Sequence, residues 1–469
     1  MARDPRTFPV GGRLKGEEIW QTGPMERGVF VPRLMLETPA APLSQSTDVI
    51  AARRTERQRV DTRQSLHQVP KFEVAAQHLV DLGLEVAKGS RKADKKLLPQ
   101  GKPGIFQQRN GIGLTTAYFV DDSVRQRAIE DLSDQYVFVP DFDLSMPTPI
   151  RLDDDQDVTS DPPDEEDLQD WQEQCGVAKA HGDGNRGRGV VVGALDTGVD
   201  ADHFEFRQRG REISFAYVPL HPDNGLRRVR GFDPDGHGTH VSGTLYANRF
   251  GIVPECRFLM GSVIESETIR TSFIRVVEGI NWLLEATASP ELRDRPAVVN
   301  LSLGFPPAPP LGMSADQYKI LEAALSFSIR QLVAADILVV AAIGNDGAGR
   351  FRLPAIYNDV LSVGAVDYQL QVPAFSGSAA DAVERKPDLV SFGVNVHSTY
   401  ERSIKGRSRY ATLSGTSMAA PHVTGLAALY WALDPGMDAD GIAEKLIDCA
   451  QPIPNAEPAR VGAGLACYR

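Results

Sequence analysis

The sequence predicts an α/β protein with a doubly wound, mostly parallel sheet and a smaller N-terminal α+β domain. Three observations predict it. Short apolar runs alternate with segments of helix length between residues 188 and 366. A strongly acidic stretch, 153–173, divides the chain. Ahead of that stretch the pattern differs, with helical segments set among strand-like ones. Strands buried on both faces read as continuous apolar runs, and strand–helix alternation implies parallel pairing. The expected domains are 1–146 (α+β), 147–173 (acidic linker) and 174–469 (the large α/β domain).

The elements follow in order. In the first part, "FVPRLMLET" (30–38) reads as a strand and 71–86 as a helix. A strand at 114–121, a helix at 124–135 and a last strand with its tail at 136–146 complete it. Val124, Ala128, Ile129 and Leu132 share one helical face. The acidic stretch carries eleven Asp/Glu and no Lys/Arg, so it supplies nearly all of the net charge of −12. Like charges with proline stay solvated, and this reads as a flexible tether. In the second part, 188–198, 257–264, 297–304, 337–344 and 360–366 read as buried strands. The segments 271–288 and 314–335 read as helices.

Composition excludes several classes. There is no basic stripe of the kind that binds nucleic acid. The longest apolar runs are too short to span a bilayer. The first residues lack the apolar core of a signal peptide, so a cytoplasmic protein is expected. Export without a signal peptide would leave no trace. The four cysteines are scattered and form no CxxC pair, which points to free thiols rather than zinc or disulfides.

In a parallel sheet, functional groups gather at the carboxyl ends of strands. Asp196 follows one strand directly, in "LDTGVD". His237 stands in "DGHGTHVSGT", Asn345 ends "VVAAIGN", and Ser417 opens a long apolar segment in "GTSMAAPH". A lone serine there would be a helix cap. With the other three it becomes a nucleophile whose proton His237 takes while Asp196 orients the imidazole. Asn345 and the Ser417 N–H at a helix start offer donors to an oxyanion. Pro421 fits a first helical turn, where an N–H is dispensable. His237 and His240 have the spacing of a metal pair, but no third ligand accompanies them. His240 and His422 read as structural hydrogen-bonders.

The stretches "VVVGALDTGVD", "GHGTHVSGT", "VVNLSLG", "VVAAIGN" and "GTSMAAPHVTGLAAL" resemble those of the subtilisin-like (S8) serine proteases, in the family's order. The resemblance implies peptide-bond hydrolysis, with Asp196, His237 and Ser417 as the triad and Asn345 as the oxyanion donor. It implies that Ser302, Leu303 and Gly304 pair with an extended substrate and that Phe273 flanks a distal subsite. No cofactor and no metal is expected. The family's calcium loop has no room after the histidine motif, and Glu205 falls where one acidic ligand would. Asp346 and Arg352 fall near the primary pocket.

The order of elements in 1–146 resembles the family's propeptide, which implies an intramolecular inhibitor whose tail, 140–146, lies beside Ser302–Gly304. Pro147 disfavours cleavage at 146, and the acidic linker is the easier place to cut. The expected partners are a protein or peptide substrate, the chain's own N-terminal domain and a separate regulatory protein. Two alternatives stay open: a same-fold peptide maturation or transfer enzyme, and a catalytically silent scaffold.

Overall fold

The structure, a computed structural model, describes residues 26–32, 72–86, 104–109, 112, 114–141, 143–144, 158–164, 171–207, 213–218, 227–228, 230–264, 271–309, 313–379 and 386–469. Its main sheet has eight strands. In spatial order they are Arg227–Arg228, Ile213–Tyr217, Arg257–Ser262, Val191–Asp196, Ala297–Leu301, Ile337–Ala342, Leu361–Val366 and Leu389–Phe392. All pairings are parallel except that of the first strand. All five strands expected here from apolar runs are present. The chain order reverses beside Val191–Asp196, and such a switch point opens a crevice at the carboxyl edge.

Alternation along each strand builds two layers. Val192 and Ala194 join the core that holds the helix Thr416–Leu433. Val191 and Leu195 face the other way, into the core with the helices Phe273–Thr287 and Ala315–Ala334. Both latter helices start at a serine cap, Ser272 and Ser314, and Gln317 completes a capping box with Ser314. Thr416–Leu433 is apolar all round and is buried from Thr416 to Trp431. Such a helix belongs inside a large core or a membrane. Among the described residues no helix is long and apolar enough to cross a membrane. All four cysteines are free.

The N-terminal sheet has the order Glu85–Val86, Gly104–Arg109, Leu114–Phe119, Glu26–Pro32, Tyr136–Pro140. Phe30, Phe106, Phe119, Ala128 and Leu132 pack one face against its own helices, Phe72–Asp81 and Asp122–Leu132. Val29, Val31, Leu114 and Val139 belong instead to the core beneath Phe273–Thr287 and Ala315–Ala334. The period of two along a strand thus glues this sheet to the outer helices of the large domain. The Tyr118 hydroxyl donates to Glu278 at 3.3 Å, and the Asp141 carboxylate accepts the Ile274 N–H at 3.0 Å. Asp143–Leu144 then pairs antiparallel with Thr271–Ser272. Of the tail 140–146, expected beside Ser302–Gly304, the described pair Asp143–Leu144 thus lies along Thr271–Ser272, while 142, 145 and 146 fall outside the described residues.

Three differences from expectation have physical causes. The strand Gly104–Arg109, antiparallel to Leu114–Phe119, is not announced by its sequence because Gln107, Gln108 and Arg109 are polar. The acidic segment is not free throughout. Val158–Thr159 pairs with Arg409–Leu413, Pro163 is buried, and Trp171 packs edge-on against His422 at 4.9 Å. Pro163 and Trp171 are buried while Asp161 and Asp164 stay exposed.

Glu205, which falls where an acidic calcium ligand of the family would although no metal is expected, is fully buried and paired within the chain. Its carboxylate accepts from Arg249 Nε at 2.6 Å, from the Arg249 N–H at 3.1 Å and from the Tyr410 hydroxyl at 3.2 Å. The guanidinium supplies here the positive charge a metal ion would bring. Arg249→Met should therefore lower unfolding free energy by about 3 kcal/mol, because it strands a buried carboxylate. EDTA should leave the thermal midpoint of the unaltered chain in place. Urea titration and thermal scans measure both, and a neutral Arg249→Met would refute the assignment.

Candidate active site

Asp196 ends its strand at the carboxyl edge and has no solvent exposure. Its Oδ1 accepts from the Thr197 N–H and from His237 Nδ1, both at 2.7 Å. A carboxylate only accepts, so Nδ1 carries a proton, and in the neutral imidazole the lone pair then belongs to Nε2. The Thr197 hydroxyl accepts the Gly238 N–H at 2.8 Å, and Ser262 Oγ donates to the Thr197 carbonyl at 2.7 Å. These bonds lock the two strand ends and the histidine helix, His237–Tyr246, into one register. Gly236, at φ 100°, turns the chain into that helix. Gly238 must lack a side chain, since a Cβ there would lie 2.2 Å from the Gly198 carbonyl. Asp233, missed in the sequence, accepts from the Thr239 N–H and hydroxyl at 2.7 Å each. Carboxylates just ahead of a helix start are a readable cap signal.

Ser417 is the second residue of its helix, so its N–H has no intrahelical acceptor. Pro421 lies in the second helical turn rather than the first, contrary to expectation. It has no N–H to give the Ser417 carbonyl four residues back. That carbonyl instead accepts the Ser302 hydroxyl at 2.8 Å. Ser302 Oγ in turn accepts from Asn300 Nδ2 at 2.9 Å, and Thr424 Oγ1 donates to Asn300 Oδ1 at 3.1 Å. Ser417 Oγ donates to the Ser302 carbonyl at 3.3 Å. One missing N–H thus stitches the serine to the strand end carrying Ser302, Leu303 and Gly304.

Asn345 is held by its oxygen. Oδ1 accepts from the Thr416 N–H at 2.9 Å and the Thr416 hydroxyl at 3.0 Å. A backbone N–H can only donate, so the amide is oriented without ambiguity. Its Nδ2 is buried and has no hydrogen-bond partner among the described residues. A Cβ on Gly415, two residues before Ser417, would lie 3.1 Å from it.

The structure therefore gathers Asp196 with His237, and Ser417 with Asn345 and Ser302, at one sheet edge. The histidine and serine helices pack along each other. Leu303 is buried in the core and Gly304 lies against Arg352. Phe273 is fully buried at the first turn of its helix, in the same core as Val29 and Val139 of the N-terminal sheet. His240 Nε2 donates to the Val396 and Ala411 carbonyls at 3.0 and 3.1 Å, and burial depresses its pKa to about 3. His422 Nδ1 donates to the Met418 carbonyl at 2.8 Å, and burial lowers its pKa to about 4. Both stay neutral where His237 would work.

A carboxylate–imidazole pair and a helix-start serine with an unpaired amide nitrogen, all at the carboxyl edge of a parallel sheet, fit the class of serine hydrolases. Comparison with known proteins narrows this. Residues 187–464 match the subtilase family model of S8 peptidases. Subtilisin-like protease PopC of Myxococcus xanthus (strain DK1622) is 41% identical over 400 residues, covering 81% of this chain and 82% of that protein. An intracellular serine protease of Paenibacillus polymyxa is 34% identical, over 52% of this chain and 67% of its own length. The major intracellular serine protease of Bacillus subtilis (strain 168) is 31% identical, over 52% and 69%. The chain belongs to the subtilase family of subtilisin-like serine proteases.

The buried His422 sets a pH dependence. Its folded pKa lies below the ordinary 6.5, so its contribution is complete above pH 6.5 and is lost as pH falls toward 4. In His422→Gln, the fall in unfolding free energy across that window should be shallower by one proton, about 1.4 kcal/mol per pH unit. Urea titrations at several pH values measure it. Equal slopes would mean that His422 is charged in the fold.

Proposed function

We propose that the chain hydrolyses peptide bonds in proteins or peptides through Asp196, His237 and Ser417, with Asn345 binding the oxyanion. The observation that carries this reading is the Asn345 amide, buried, fixed by Thr416 and left with an unused N–H beside Ser417. A buried donor without a partner is costly, and an oxyanion that forms there during reaction would satisfy it. A rotation about the Ser417 side chain carries its hydroxyl from the Ser302 carbonyl toward His237 Nε2. Oγ then attacks the substrate carbonyl carbon while the imidazole takes the proton and Asp196 stabilises the imidazolium. The Ser417 N–H and Asn345 Nδ2 bind the oxyanion. His237 returns the proton to the leaving amine, and water repeats the sequence on the acyl-enzyme.

Peptide hydrolysis by purified variants tests this. Ser417→Ala and His237→Ala should each lose roughly 10⁶ in kcat, the scale found for the same groups in subtilisin. Asn345→Ala should lose about 10²–10³ in kcat with little change in KM, because its bond strengthens only in the transition state. Near-normal turnover in Ser417→Ala would end the triad reading. A change in KM alone would move Asn345 to substrate binding.

The N-terminal sheet is proposed as a restraint that keeps the enzyme a zymogen. It caps the helix that begins at Phe273 and sends Asp143–Leu144 along Thr271–Ser272, toward the cleft. Backbone pairing of this kind lets a segment imitate an extended substrate. Two of the relatives are named intracellular, and the cytoplasm is proposed as this protein's place of action. Residues 1–146, expressed alone, should inhibit a 158–469 fragment competitively against a peptide substrate. The fragment starts at 158 because Val158–Thr159 completes a sheet with Arg409–Leu413. A folded fragment indifferent to added 1–146 would leave the N-terminal sheet an accessory domain.

A further inference from the structure

Gly304 and Gly344 stand at the ends of neighbouring parts of the sheet edge, two residues after Ser302 and one before Asn345. The side chain of Arg352 lies between them. A Cβ on Gly304 would meet Arg352 Cβ at 2.5 Å, and one on Gly344 would meet Arg352 Cγ at 2.6 Å. Both positions must be glycine for the arginine stem to enter the slot. The Arg352 backbone is pinned there too. Its N–H donates to the Ile343 carbonyl at 2.8 Å, and the next residue, Leu353, exchanges two bonds with Phe305 at 2.8 Å each. The guanidinium then closes a fork on Asp346, with Nε to Oδ2 at 2.6 Å and Nη2 to Oδ1 at 2.8 Å. The Arg352 side chain is only 15% exposed.

This slot has a role if Ser417 and Asn345 act as proposed above. A carbonyl with its carbon at Ser417 Oγ and its oxygen at Asn345 Nδ2 places the adjoining Cα about 1.5 Å from that carbon. The side chain on that Cα, belonging to the residue just before the scissile bond, must then project between the 302–304 and 344–346 segments. Arg352 already occupies that space. We propose that the Arg352–Asp346 pair is the floor of this pocket and restricts cleavage to bonds that follow small, uncharged residues: glycine, alanine or serine. A large apolar side chain would have to evict the fork and leave a partly buried carboxylate unpaired, which is costly. A charged side chain gains little, because each member of the pair is already satisfied by the other in a bidentate geometry.

The test uses the full chain and two peptide p-nitroanilides that differ only in alanine or phenylalanine before the scissile bond. A tethered segment competing for the cleft lowers kcat/KM for both by the same factor, so their ratio reads the pocket alone. The unaltered enzyme should favour alanine on the order of 100-fold. Arg352→Gly should reduce that ratio at least about tenfold, by raising the phenylalanine rate. Arg352→Met, which keeps the stem and removes the charge, should hold the preference for alanine and guards against a misfolded glycine variant. Equal cleavage of both peptides by the unaltered enzyme, or an unchanged ratio in an active Arg352→Gly, overturns the proposal. Rates for both peptides no higher than those of Ser417→Ala would instead bring down the triad reading, and this proposal with it.

Discussion

The proposed catalytic edge depends on one constraint: the helix Thr416–Leu433 is buried along nearly its whole length yet begins at the sheet edge with a Ser417 carbonyl that no helical N–H fills. Pro421 creates that carbonyl by withholding an N–H in the second turn, and Ser302 Oγ fills it at 2.8 Å. The helix start is thereby tied to the strand Ala297–Leu301, through Asn300 and Thr424 as well. Thr416 extends the tie to the next strand, since it holds Asn345 Oδ1 and accepts the Gly344 N–H at 3.2 Å. Serine, amide and the candidate substrate strand are therefore set by one network. A rigid scaffold of this kind is what positions groups to within a fraction of an ångström.

The other half of the site is fixed separately, through Asp196, Thr197 and Gly238 at the start of the histidine helix. The two halves meet because the histidine and serine helices pack along each other under the same sheet face. The opposite face carries the outer helices, and there the N-terminal sheet docks with Val29, Val31, Leu114 and Val139. Division of labour between the two faces leaves the proposed chemistry on one layer and its proposed restraint on the other. Asp141 of the N-terminal part accepts the Ile274 N–H at the start of one of those outer helices.

Much of this was legible in the residues. Strands buried on both faces announced themselves as apolar runs, and the serine, histidine, aspartate and asparagine stood at strand or helix ends where a parallel sheet gathers function. What escaped was carried by residues whose role depends on partners distant in sequence. Glu205 looked isolated because Arg249 and Tyr410 lie 44 and 205 residues away. Pro421 reads as an ordinary first-turn proline because Ser302 Oγ, the donor that replaces its missing N–H at the Ser417 carbonyl, is invisible in a helix pattern. The acidic segment was read by its charge, although Val158, Thr159, Pro163 and Trp171 are the residues that seat it. Strands as short and mixed as Gly104–Arg109 carry too little periodicity to outweigh their polar members.

The central claim is that Ser417 is a nucleophile made reactive by His237. A fluorophosphonate reacts only with a serine activated in that way. The full chain should be incubated with it, digested and mapped by mass spectrometry. A single adduct on the peptide containing Ser417, absent from His237→Ala, is the predicted result. An adduct on another residue, or equal labelling of Ser417 in His237→Ala, would contradict the account.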